Sequence, residues 1–264
     1  LIEQTILNDK FLMDEPIYKM LNNTFLGLEN GEFSSLFSSM IIESLDKNTN
    51  SNTLLKNSNF YFKFNNILNF IFNLPTISEL KSLITNNTDL EQTQNNIQNT
   101  IIPFLDHYFV FFDNKTISFL LKKMNSNLFA LCLQPHALAD FILRLYKVEQ
   151  LDTNIKILTL SCLFTLIIKF NYIFEEYYET LYISLFIPDI LESEYNTRLL
   201  KILYLSLKPA NVSKAVVSSF IKKLARLSLK SNSLVCLKIL TFIEHMMHYH
   251  NKCLVMLHRK RNIN

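Results

Sequence analysis

At 264 residues the chain can bury a substantial core as one or two domains, or as a single elongated one. It is 49% hydrophobic yet holds only two glycines, Gly27 and Gly31, and six prolines, so turns that demand positive φ are few. That excludes an all-β sandwich or barrel, and Leu, Ile and Phe recurring at three- and four-residue spacing point to an all-α fold. The overall charge of +3 conceals an asymmetry: from Arg198 onward there are thirteen Lys/Arg against one acid, Glu244, a net of +12, which leaves −9 for the rest. One end of the chain is therefore suited to a polyanion, whether nucleic acid or an acidic protein surface.

The sequence opens on Leu1 rather than Met, as an excerpt of a longer chain would. Its first residues mix charges with apolar groups and lack the apolar core of a signal peptide. Residues 1–100 read as a divergent helical region broken by two Asn-rich polar stretches, DKNTNSNTLLKNSN (46–59) and TNNTDLEQTQNNIQNT (85–100), both expected to be loops. Residues 101–264 read as a helical-repeat domain. Helical segments are predicted at 101–112, 115–130, 135–147, 153–170, 173–186, 195–207, 212–229, 232–249 and 251–260, with short connections between them. No fixed-period repeat is visible. An irregular HEAT/armadillo-like solenoid is therefore assigned on helix size and order alone, with a compact helical bundle as the alternative.

Ile157 to Ile168 is an uncharged apolar run between Lys156 and Lys169, twelve residues long. A membrane span takes about 20, so the run reads as a buried core helix. Cys132, Cys162, Cys236 and Cys253 form no C-x-x-C pair and read as reduced, buried thiols. The two glycines cannot supply G-x-x-x-x-G-K or G-x-G-x-x-G, and there is no G-x-S-x-G elbow, so the chain is not read as an enzyme. Glu175, Glu176 and Glu179 cluster among aromatics, but as a solvated helix edge rather than an acid–base pair. Tyr177, Tyr178 and Tyr182 are candidate anchors for a protein partner, the alternative being that they are core.

The next stretch is FIKKLARLSL (220–229). At 100° per residue, Lys222, Lys223, Arg226 and Lys230 fall within an arc of about 100°, opposite Val216, Phe220, Leu224 and Leu227. Val217, Ile221 and Ala225 extend the apolar arc, so the helix should be anchored in the body and present only its basic side. Membrane and calmodulin-type readings need that apolar face free, and are disfavoured. For Lys222 and Arg226 two readings stand: contact with phosphates, or internal pairing with carboxylates or helix-end carbonyls of a neighbouring helix. His245, His248, His250, Cys253 and His258 invite a zinc site, but His250 would leave the shared helical face and Cys253 has no thiolate partner nearby.

Residues 220–260 resemble the signature of the CCAAT-binding-factor class of nucleolar ribosome-biogenesis proteins. The residues that carry it are Phe220, Lys222, Leu224, Ala225, Arg226, His250, His258 and Arg259, and the signature is most specific over 212–260. The likeness extends upstream through 135–167, 174–182 and Arg198 in the order of the class. Departures are Glu175-Glu176 where the class has Pro-Asp, Leu199-Leu200 where it has paired phenylalanines, and Asn251 where it has proline. The resemblance implies a non-enzymatic helical-repeat assembly factor of the small-subunit processome, in the nucleolus of the nucleus, with no cofactor, no metal, no membrane and no small-molecule substrate. It implies nucleolar protein 14 and other processome proteins as partners, with the pre-rRNA backbone as a further contact of the basic face. It also implies that Phe220, Leu224, Ala225, His250, His258 and Arg259 are structural, the histidines by hydrogen bonding at a helix junction. Two alternatives stay open: a helical-repeat adaptor of nuclear transport, or a sibling of the class acting in large-subunit biogenesis.

Overall fold

The computed structural model describes residues 68, 71–72, 74, 76–83, 87–109, 112–148 and 150–258, and every regular element among them is helical. The 46–59 stretch and Arg259 lie outside the described residues. The chain divides into two units, residues 1–143 and 144–264.

In the first unit, α1 (Ile77–Leu83) and α2 (Asn87–Tyr108) precede α3 (Asn114–Lys123). A π-helical turn, Met124–Leu128, and a short helical turn, Phe129–Leu131, carry α3 onward. The 85–100 stretch is thus not a loop: from Asn87 it is helix, and the expectation from its Asn and Thr content is overturned. Ile97, Ile101, Phe104 and Leu105 supply the helical periodicity and are buried. The polar residues have defined roles. Gln94 Nε2 donates to the Ala130 carbonyl at 3.1 Å, and Gln98 Oε1 accepts from the Gln134 amide at 2.7 Å, satisfying backbone groups where the following helix ends. Asp113 caps α3 by accepting from the Thr116 amide at 3.0 Å, and hydrogen bonding to Thr116, its side chain first and its amide after, holds the carboxyl below the ordinary carboxylate value.

A 3-10 turn, Pro135–Leu138, leads into α4 (Ala139–Lys147), which runs across the boundary between the units. The second unit continues with α5 (Thr153–Phe170), α6 (Tyr177–Ser184), α7 (Asn196–Leu207), α8 (Lys214–Ser228), α9 (Ser233–Tyr249), a 3-10 turn at Asn251–Cys253 and α10 (Val255–His258). Helix α7 packs between α5 and α9, forming one row. Helices α4, α6 and α8 form the other: the Tyr146 hydroxyl donates to the Thr180 carbonyl at 3.2 Å, and Tyr182 meets Phe220 edge to face at 5.3 Å. Across the rows, α8 packs closely on α9.

Helix α5 has the length and apolarity of a membrane span, but Ile157, Leu158, Cys162 and Leu166 are fully buried, so it is the core helix of its row. It stops at Asn171, which adopts the left-handed conformation (φ 54°) and lets the Tyr172 amide return to the Leu166 carbonyl at 3.1 Å. Ser213 caps α8 through the Val216 amide and Asn232 caps α9 through the Val235 amide, at 3.3 and 2.9 Å.

Candidate polyanion-binding face

The site is built on α8. Val217, Phe220, Ile221, Leu224 and Ser228 are buried, which fixes the rotation of the helix, while Lys222, Arg226 and Lys230 are exposed. Among the described residues no carboxylate forms an ion pair with these three cations or with Lys223. Cations spaced four apart on a helix repel by roughly 0.2–0.5 kcal/mol per pair, and here nothing offsets the repulsion. The internal-pairing reading of Arg226 therefore has no carboxylate to rest on. Ala225, counted in the apolar arc, is exposed, because at this crossing α8 turns its small residue to the surface beside the cations.

Lys223 is different. It is half-buried, and its Nζ lies 3.3 Å from the centroid of the Phe186 ring, a cation–π contact to the segment between α6 and α7. Burial first, and then the like charges of Arg226 and Lys230, push its pKa below the ordinary amine value. Between that segment and α8 lies a cleft of about 250 Å³ bordered by Phe186, Asp189, Glu192, Lys223 and Lys230. Both signs of charge meet there. Glu192 is already engaged: it accepts from the Asn232 amide at 3.2 Å and from the Asn232 side chain. Lys238 Nζ, from α9, donates to Asn196 Oδ1 and Thr197 Oγ1 at the start of α7, both at 3.1 Å. Nothing in the sequence pattern singled out Phe186, which is distant in the chain from the lysine it holds.

The three tyrosines do not form a free surface. Tyr177 is buried and its hydroxyl lies 2.6 Å from Ser206 Oγ. Since Ser206 gives its own proton to the Ile202 carbonyl at 2.7 Å, Tyr177 is the donor. Tyr178, half-buried, donates to the Ser206 carbonyl at 3.0 Å. Tyr182, half-buried, stands against Phe220 and, at 5.6 Å, Phe186. The expectation that Tyr177 anchors a partner is corrected: α6 is too short to hold itself, and spends its aromatics joining α7 and α8.

His250 Nε2–H donates to the Leu207 carbonyl at 2.7 Å, tying the end of α9 to the end of α7. Cys253 is buried with its Sγ 3.6 Å from Ser218 Oγ. Among the described residues no three His, Cys, Asp or Glu side chains converge as metal ligands. His258 ends α10. A second exposed cluster was not marked by sequence: Lys208 Nζ sits 4.8 Å from the Tyr249 ring and 5.7 Å from the Tyr204 ring.

Comparison with known proteins bears out the resemblance. Residues 156–264, which run from the first turn of α5 through α10, match the CBF/Mak21 family. Over 127 residues the chain is 33% identical to nucleolar complex protein 4 of Saccharomyces cerevisiae, covering 47% of this chain and 23% of the yeast protein. It is 32% identical over 126 residues to nucleolar complex protein 4 homolog of Homo sapiens, covering 48% and 24% respectively. Nucleolar complex protein 4 homolog B of Xenopus laevis matches at 32% over 126 residues, 48% of this chain and 23% of the relative. The chain thus spans about a quarter of the length of the curated relatives it matches.

Proposed function

We propose that the chain is a non-enzymatic assembly factor of nucleolar ribosome biogenesis, a helical scaffold whose α8 face meets a polyanionic surface of a pre-ribosomal particle. The observation that carries this reading is the stripe of Lys222, Arg226 and Lys230, exposed and without a carboxylate partner among the described residues, on a helix whose opposite face is core. That helix lies inside the stretch that matches the CBF/Mak21 family, and the names of the relatives support the nucleolus as its location. The finer reading is an irregular helical-repeat subunit of the small-subunit processome, partnered by nucleolar protein 14 and touching the pre-rRNA backbone, where phosphate contacts position without reading sequence. The two-row alternation of α4 to α9 supports the repeat architecture.

The test is the triple reversal K222E/R226E/K230E. Exposed cations contribute roughly 0–1 kcal/mol each, so helicity and Tm should stay close to those of the unmodified chain. Co-sedimentation with pre-ribosomal particles should fall at low salt, and its remaining salt dependence should be shallower. Particle association unchanged at every salt concentration would overturn the proposal. A soluble GTPase bound in place of the particle would identify a transport adaptor instead.

A further inference from the structure

Beside the cations runs an apolar stripe that the fold does not use. Leu229 is 86% exposed, Leu234 66%, Leu237 63% and Leu240 50%. Folded domains seldom leave a contiguous run of large apolar side chains in water unless something covers it. On α8, Leu229 falls between Ala225 and Lys222 on the outward arc, with Arg226 and Lys230 next around the helix. The short turn to α9 brings Leu234 onto the first turn of the partner helix, followed at every third position by Leu237 and Leu240. Glu244 and His248 lie farther along the same arc, so the apolar stripe is confined to the N-terminal half of α9. The α8–α9 edge is therefore a leucine strip with a cationic border along one side.

We infer that this edge is a docking groove for an amphipathic helix of a partner protein, one that carries acidic residues along the flank of its apolar stripe. The inference rests on the proposed function for the cations and names the chemistry of what they meet. Anchors spaced by three and four residues are the pattern by which a groove accepts a helix, and the unpaired cations of α8 select a partner flank of opposite sign. A bare phosphate backbone would neutralise the cations but give the leucines nothing to bury against. Single-stranded nucleic acid is held by aromatic platforms interleaved with cations, whereas this edge offers leucines. A second copy related by two-fold symmetry would set cation against cation.

The test places a photo-crosslinking benzoylphenylalanine at Leu237 of the full chain, bound to purified pre-ribosomal particles. The expected adduct survives ribonuclease and maps to a helical protein segment with acids flanking its apolar stripe, and K222E/R226E lowers its yield severalfold. An RNA adduct, an adduct to a segment without such acids, or no adduct overturns the inference. In parallel, L234S/L237S should weaken particle association roughly tenfold with Tm unchanged, because both side chains are solvent-facing. If the leucine pair has no effect while cation reversal still releases the particle, the docked helix is refuted and the proposed function stands. If cation reversal has no effect, the proposed function itself fails.

Discussion

The contact between Tyr177 and Ser206 offers a measurement whose sign, not only its size, is set by geometry. The phenol donates to Ser206 Oγ, and Ser206 passes its own proton to Ile202 within α7. In Tyr177→Phe the serine keeps its bond to Ile202, so the loss is one buried hydrogen bond, about 0.5–1.5 kcal/mol. In Ser206→Ala the phenolic donor of the buried Tyr177 loses its acceptor, which costs about 1–3 kcal/mol. The double variant removes both partners and leaves no orphan. It should therefore be less destabilised than the sum of the two, and no worse than Ser206→Ala alone. Urea denaturation of the four proteins, with equal slopes, closes the cycle. Costs that add to within about 0.3–0.5 kcal/mol would show that the two hydroxyls do not interact and would remove the argument that Tyr177 is committed to the interior.

Phe220→Ala should destabilise by about 3–5 kcal/mol, read as a lowered urea midpoint, because the ring is fully buried against Tyr182 and its removal opens a cavity between α6 and α8. Stability should decline on the alkaline side: burial pushes the Cys132 thiol up to about 12 and raises Cys162 and Tyr177 as well. The unfolded chain then loses these protons first, beginning near pH 8.5 for thiols and near 10 for the phenol, so stability is full below about pH 8 and falls as pH rises through that window, by up to about 1.4 kcal/mol per unit for each group. A flat denaturation midpoint from pH 7 to 10.5 would contradict that. Under native conditions a thiol reagent should label Cys236 before Cys132, Cys162 and Cys253, since it alone of the four is not buried; mass mapping of the first adduct decides it.

Much of the helix layout was legible because apolar periodicity reports directly on which face is buried. The segment read as 153–170 is Thr153–Phe170, and that read as 232–249 is Ser233–Tyr249. The stretch 85–100 is instructive: its Asn and Thr content points to a loop, while Ile97 and Ile101 stand at helical spacing. Gln94 and Gln98 serve distant carbonyl and amide groups, and side chains that act at long range leave no local signal. On α8 the cationic arc followed from the 100° rotation, but the distinction between Lys223 and its neighbours did not, since it depends on Phe186 arriving from another part of the chain. Tyr177, read as a candidate anchor, is core for a related reason. Aromatics that mark an interface also mark a short helix needing support, and only the position of Ser206 separates the two.

Asn232 gives the second unit a shared breaking point. Its oxygen holds the Val235 amide at the start of α9, while its amide groups hold Glu192 of the preceding connection. Lys238 reaches from α9 to the first residues of α7. These hydrogen bonds link the connection, the head of α7 and the head of α9, so opening of one loosens the others, although water can take over their exposed polar groups. The leucine edge of α9 and the cleft beneath Lys223 are thus tied to the same few residues, and a change at Asn232 reaches both.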